Sequence, residues 1–169
     1  MFSGSLVAII TPMLADGQVD YVSLKKLLNY QVDNGTDGLV IMGTTGEAAT
    51  IPFSEQLTVM QFVLDEVQGR VKIIAGNGSN STAEAIEKTK QLNELAIDGF
   101  LTVTPYYNKP TQAGMVAHFK AVAAATDKPV LLYNVPGRTG VDMLAETVAT
   151  LSSVPNIVGI KEATGSLAR

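Results

Sequence analysis

Six short apolar runs, rich in β-branched residues and each closed by a polar or glycine-rich turn, recur through this chain at residues 6–10, 38–42, 71–75, 100–103, 130–133 and 157–160. Their spacing is about 30 residues, the length of one strand-plus-helix unit in a (β/α)₈ barrel. In most of the runs each residue has apolar neighbours on both sides, so no solvent face is written into them. Strands buried on both faces mark a parallel sheet.

The stretches between the runs carry helical spacing. Leu24, Leu27 and Leu28 form one stripe, after Asp20 as N-cap and before Gly35 as the residue that ends the helix. Leu57, Met60, Val63 and Leu64 form a second, opening after Ser54. Ser81-Thr82-Ala83-Glu84 is a capping box for a helix through Ile86 and Leu92. Further helical patterns cover 111–125 and, after Asp142, the stretch through Leu151. The order βαβαβαβαβαβ predicts an α/β chain of the TIM-barrel type with about six βα units present. A doubly wound sheet is the alternative. Its phosphate loop is missing, because Thr11-Pro12-Met13-Leu14 follows the first run and Gly76-Asn77-Gly78 is only a fragment of such a pattern.

Six strands do not close an eight-stranded barrel, and an open arc leaves strand edges and an inner apolar layer uncovered. The expectation is one barrel domain over 1–169, C-terminally incomplete and continued by two more βα units. With 46% apolar and 17% charged residues the composition suffices for one sizeable core. The net charge of −4 and the lack of a Lys/Arg cluster point away from nucleic acid and anionic membranes. No cysteine is present, so disulfides and thiolate chemistry are excluded. Residues 1–13 lack a basic leader pattern, and no apolar stretch reaches the roughly 20 residues a bilayer demands. The chain is expected to be soluble and cytoplasmic.

In such barrels reactive groups gather at the C-terminal ends of the strands. Those positions hold Gly43-Thr44-Thr45-Gly46-Glu47, Thr104-Pro105-Tyr106-Tyr107-Asn108, Tyr133-Asn134-Val135-Pro136-Gly137-Arg138 and Lys161-Glu162. A lysine in a barrel mouth is desolvated, which favours the neutral amine that can attack a carbonyl and form an imine; a strand-end Lys161 pairing with Glu162 is the plainer reading. The planar fork of Arg138 suits a carboxylate, although a solvated loop arginine looks the same in sequence. The phenols of Tyr133 and Tyr107 with the Thr44 hydroxyl could form a proton relay, or the tyrosines could simply pack. Thr44 and Thr45, flanked by Gly43 and Gly46, offer hydroxyls and backbone N–H groups to an anion; a tight turn also accounts for the glycines. His118, between Val116 and Phe119 with no second ligand at metal spacing, reads as structural or solvent-facing. With no EF-hand loop, HExxH or P-loop in the chain, neither a metal nor a cofactor is expected.

At these same positions the chain resembles the 4-hydroxy-tetrahydrodipicolinate synthase family of class I pyruvate aldolases. The resemblance lies in Gly43-Thr44-Thr45-Gly46-Glu47, in Tyr133 through Gly140 and in Gly159-Ile160-Lys161-Glu162-Ala163-Thr164-Gly165, and it runs in register along the whole chain. It implies that Lys161 condenses with pyruvate and that the resulting enamine attacks L-aspartate 4-semialdehyde, in lysine biosynthesis through diaminopimelate. It also implies that Tyr133 is proton donor and acceptor, that Thr44 and Tyr107 complete the relay, that Thr45 holds the pyruvate carboxylate and that Arg138 holds that of the semialdehyde. Tyr107 would reach a neighbouring subunit's site in a homotetramer built as a dimer of dimers. Ala49, Asn80, Glu84 and Tyr106 match the positions of a lysine-inhibitor site, whereas Phe53 and Gln56 stand where lysine-sensitive members carry histidines. Two rivals are an N-acetylneuraminate lyase-like aldolase, against which Arg138 and the Tyr106-Tyr107 pair argue, and a catalytically silent barrel fragment.

Overall fold

The computed structural model describes residues 2–169; Met1 lies outside the described residues. Six strands alternate with helices: β1 (Leu6–Ala8), α1 (Tyr21–Asp33), β2 (Gly38–Ile41), α2 (Phe53–Val67), β3 (Lys72–Gly76), α3 (Thr82–Asn93), β4 (Gly99–Val103), α4 (Gln112–Ala123), β5 (Val130–Asn134), the short α5 (Pro136–Thr139), α6 (Ala145–Leu151) and β6 (Ile157–Glu162). All six expected strands form, within one or two residues of the apolar runs. The chain divides into two compact units, one running to Gly76 and taking in Leu95–Asp98, the other made of Asn77–Glu94 and Gly99–Arg169.

In the first unit β1, β2 and β3 pair parallel in chain order, with Leu39 opposite Ile73 and Val40 opposite Ile74. Every residue of β2 is buried, as its unbroken apolar run requires. Leu24 and Leu28 of α1 join Val59, Met60, Val63 and Val67 of α2 in the buried set, and burial of each such side chain contributes about 1.5–3 kcal/mol. Asp20 caps α1 by accepting from the Ser23 N–H, and Gly35 takes the left-handed conformation beyond it (φ +80°), both as expected. The second helix opens at Phe53 behind Pro52 rather than after Ser54, because the Pro52 carbonyl already accepts from the Glu55 and Gln56 N–H groups and makes Pro52 the cap. Asp98 returns to β3, ion-pairing with Lys72 at 2.7 Å and accepting from the Ile73 N–H at 2.8 Å.

The turn after β2 is held by geometry rather than by packing. Met42 and Glu47 both sit at positive φ (54° and 58°). A Cβ on Gly76 would fall 2.0 Å from the Met42 carbonyl oxygen, so only glycine lets β3 end that close to the turn. The buried Thr11 hydroxyl donates to the Gly46 carbonyl at 2.7 Å.

In the second unit β4, β5 and β6 also pair parallel in chain order. Thr111 caps α4 through the Gly114 N–H. The capping box of α3 is half realised: Ser81 Oγ accepts from the Glu84 N–H, but the Glu84 carboxylate accepts from Ser79 Oγ at 2.8 Å, and Ser79 Oγ in turn accepts from the Ser81 N–H. Asp142 does not start α6, which opens at Ala145 after Leu144; its carboxylate is committed to Asn134 and Arg169. His118 is buried (3% exposed) with its Nδ1 2.9 Å from Thr82 Oγ1, so of the two sequence readings the structural one holds. Among the described residues no helix is long and apolar enough to cross a membrane, and no group of His, Cys, Asp or Glu could hold a metal.

Two predictions come from this framework. Burial pulls the His118 pKa from 6.5 down to about 4. The unfolded chain therefore binds the proton more readily, and the stabilisation from the neutral ring is complete above pH 6.5 and is lost as pH falls toward 4, amounting to about 3 kcal/mol. Urea melts at pH 7 and pH 5 should show that slope in the native protein and a flatter one in His118→Gln. Replacing Thr11 by Val should cost about 1–3 kcal/mol by stranding the Gly46 carbonyl, measured in the same melts, with faster amide exchange across residues 43–47.

Candidate active site

Lys161 and Tyr133 meet because β6 carries one more residue than its neighbour. Val130 stands opposite Ile157, but Leu131 stands opposite Gly159, a one-residue bulge that brings Val158 to the surface. Beyond it Tyr133 pairs with Lys161 and Asn134 with Glu162. Without the bulge Tyr133 would face Ile160, and Lys161 would sit on the opposite side of the sheet.

The Lys161 ammonium nitrogen lies 4.5 Å from the centroid of the Tyr133 ring. Tyr133 is buried, while Lys161 keeps a solvent-reaching side chain. Desolvation against this wall lowers the Lys161 pKa below the ordinary lysine value. The ring face attracts a cation and works the other way, but the loss of water prevails. An amine that releases its proton more readily than free lysine, beside a phenol, is an arrangement that can serve carbonyl condensation.

Residues that carried no role in the sequence reading support the pair. Asn134 is fully buried, and its amide donates to Asp142 Oδ1 at 2.8 Å and to the Glu162 carboxylate at 3.1 Å. Arg169 ion-pairs with both carboxylates, at 2.6 Å to Asp142 and 3.1 Å to Glu162. The Asn134 hydrogen bond leads in holding Asp142 below the usual carboxylate range. Burial pushes Glu162 up, but Asn134, the Thr164 N–H and the Arg169 charge outweigh it and leave that carboxyl low as well. The sequence signal for this network was Asn134 itself, a polar residue ending an apolar strand.

Arg138 is exposed on α5, a single turn opened by Pro136 and closed by Gly140 at φ +74°. The turn touches the loop after β4, where the Tyr107 N–H donates to the Thr139 carbonyl at 3.2 Å. Tyr107 is 87% exposed and sits at φ +74°, and Lys109 two residues on is at φ +47°. Positive φ at a tyrosine and a lysine stores strain, and such strain concentrates at functional loops. Asn108 ties this loop to the Asn80 carbonyl at 3.3 Å, so Tyr106, Tyr107 and Asn80 gather in one region, with the exposed Glu84 next to it on α3.

Thr44, Thr45 and Ala49 belong to the first unit. Both threonines are exposed on the turn after β2, where the Gly46 N–H donates to the Gly43 carbonyl and the Glu47 N–H to that of Thr44. Ala49 lies on a 3₁₀ turn (Ala48–Thr50) held from below by the buried Gln56, whose amide donates to the Ala48 and Ile51 carbonyls at 2.8 Å each. Gln56 thus has a structural task where the resemblance anticipates a histidine.

The profile of the Dihydrodipicolinate synthetase family matches residues 1–169. Among curated relatives, the 4-hydroxy-tetrahydrodipicolinate synthase of Shewanella baltica is 58% identical over 169 residues, covering 100% of this chain and 58% of that protein. The synthase of Pseudoalteromonas atlantica is likewise 58% identical over the same lengths. Among solved structures, a chloride-inhibited dihydrodipicolinate synthase from Acinetobacter baumannii, complexed with pyruvate, superposes with a TM-score of 0.96 at 53% identity, over 98% of this chain and 57% of that one. The enzyme from Cyanidioschyzon merolae with lysine bound gives 0.92 at 46% identity, over 98% and 57%. The chain thus spans 58% of the length of the first of these relatives. The superpositions show the α/β fold of a TIM barrel, of which six strands and their helices are present. Fold, strand-end residues and the match along all 169 positions agree that the chain belongs to the dihydrodipicolinate synthetase family.

Proposed function

We propose that this protein condenses pyruvate with L-aspartate 4-semialdehyde through a Schiff base on Lys161, the reaction of a 4-hydroxy-tetrahydrodipicolinate synthase, in lysine biosynthesis through diaminopimelate. The observation that carries the reading is the Lys161 amine 4.5 Å from the centroid of the buried Tyr133 ring, with its pKa lowered by desolvation. The family match along the whole chain supports it, as does the Acinetobacter baumannii relative solved with pyruvate.

In this reading the neutral Lys161 amine adds to the pyruvate ketone, and the carbinolamine loses water to form an imine. Tyr133 carries the protons for both steps and for the loss of a methyl proton that yields the enamine. The enamine carbon attacks the aldehyde, and the amino group of the semialdehyde then displaces Lys161 from the imine carbon and closes the ring. Thr44 and Tyr107 extend the proton path, Thr45 binds the pyruvate carboxylate, and the exposed fork of Arg138 binds the carboxylate of the semialdehyde. None of these steps calls for a metal or a cofactor. The strained, outward-projecting Tyr107 suits a side chain that serves a partner's site, and the proposed active form is the homo-oligomer that the family resemblance implies, a dimer of dimers.

L-lysine is the proposed inhibitor, at a site formed by Ala49, Asn80, Glu84 and Tyr106. The Cyanidioschyzon merolae relative solved with lysine bound supports this. Against it stands the engagement of Glu84 with Ser79 at 2.8 Å, which a bound ammonium must outcompete or share.

Incubation of the full-length protein with pyruvate followed by borohydride should add one reduced pyruvyl group, confined to Lys161 by peptide mapping. An unmodified, folded protein would rule the mechanism out. Millimolar-range L-lysine should slow the condensation in the native protein, and Glu84→Ala should relieve that inhibition; identical rates with and without lysine would remove the inhibitor site.

A further inference from the structure

Every polar group of the Asn134 side chain is engaged. Its Nδ2 donates to Asp142 Oδ1 at 2.8 Å and to both Glu162 oxygens at 3.2 and 3.1 Å, while its Oδ1 accepts from the Met143 N–H at 3.0 Å. Its backbone carbonyl accepts from the Ala163 N–H at 2.9 Å. One buried residue therefore ties the end of β5 to the end of β6 and to the segment that leads into α6. Two carboxylates drawn to one amide repel each other, and Arg169 offsets this by pairing with both and donating to the Met143 carbonyl.

This lock lies back to back with the reacting pair. Successive side chains of a strand point to opposite faces. Tyr133 and Lys161, opposite each other in the register, share one face, and Asn134 and Glu162, opposite each other one step on, share the other. The bulge upstream makes the lock necessary, since a strand with one extra residue has a neighbouring register within reach. An asparagine suits the position because it donates in two directions and accepts in a third. Aspartate would bring a third carboxylate, and leucine would leave two carboxylates and the Met143 N–H without their partner.

We infer that Asn134, with Glu162 as its acceptor on the neighbouring strand, is a positioning residue that keeps the Lys161 amine against the Tyr133 ring by locking the ends of β5 and β6. The inference rests on the Schiff-base reading above. Near Lys161 on β5, β6 and the segments bonded to them stand Tyr133 on its own face and, on the far face, the carboxylates of Asp142 and Glu162 with the permanently charged Arg169.

The test compares the wild-type protein, Asn134→Leu, Glu162→Ala and Glu162→Gln in the full-length form, using borohydride trapping with pyruvate, kcat and KM, and the pH profile of imine formation. A misplacement of about 1 Å at a reacting pair costs roughly 10²-fold in rate. Asn134→Leu should therefore lower kcat by about that factor with little change in the KM for pyruvate. Its acid limb should move to higher pH as Lys161 regains water. Glu162→Ala, on the exposed side of the lock, should move the limb the same way, and Glu162→Gln, which keeps an acceptor oxygen for Asn134, should recover most of the loss. If Asn134→Leu fails to fold, the two Glu162 variants decide alone. A rate loss with an unmoved acid limb, or no recovery in Glu162→Gln relative to Glu162→Ala, would overturn the positioning role. A wild-type protein that traps no pyruvate would overturn the Schiff-base reading itself, which is a different result.

Discussion

The register between β5 and β6 is the constraint on which the site depends. A strand has a side-chain period of two, so a slip of one residue moves every side chain to the other face. The bulge between Val130 and Leu131 spends one residue of β6, and only beyond it do Tyr133 and Lys161 come opposite each other. Gly159 sits at that point, where a Cβ would come 3.2 Å from Leu131 Cδ2, so the small residue eases the close approach of the bulged strand. Asn134 and the charges around it then hold the register the bulge created.

A second constraint of the same kind shapes the turn that carries Thr44 and Thr45. Met42 accepts a left-handed conformation, Gly76 gives up any side chain so that β3 can end against it, and Thr11 reaches across to the Gly46 carbonyl. Backbone strain at Met42, Glu47, Tyr107 and Lys109 lies in the loops after β2 and β4, at the C-terminal ends of strands. Most of the unusual non-glycine backbone thus lies at strand ends, where chemistry is expected, while Gln68 takes the left-handed conformation as the residue that ends α2.

Much of this was legible in the chain. Apolar runs without a solvent face announced all six parallel strands, and Asp20, Gly35, Ser81 and Thr111 marked helix ends where the structure has them. Helix starts failed where another group took the role: Asp142 serves Asn134 and Arg169 instead of a cap, and the Pro52 carbonyl takes the first helical hydrogen bonds ahead of Ser54. Lys161, Tyr133, Thr44, Thr45, Tyr107 and Arg138 could be named from strand ends, because a strand end is visible as the place where an apolar run stops. The supporting roles of Asn134, Glu162, Asp142 and Arg169 could not, since hydrogen bonding between residues 8 to 28 positions apart leaves no periodic trace.

By itself the sequence determined the alternation of strand and helix, the parallel character of the strands and the residues offered at their ends, because those follow from local periodicity, caps and turn chemistry. Only the tertiary structure decided that β6 is bulged, that Lys161 lies against Tyr133 rather than beside Glu162, and that His118 is an internal neutral ring. Pairing register, desolvation and the meeting of distant polar groups are properties of neighbours in space, and they come into being only when the chain has folded.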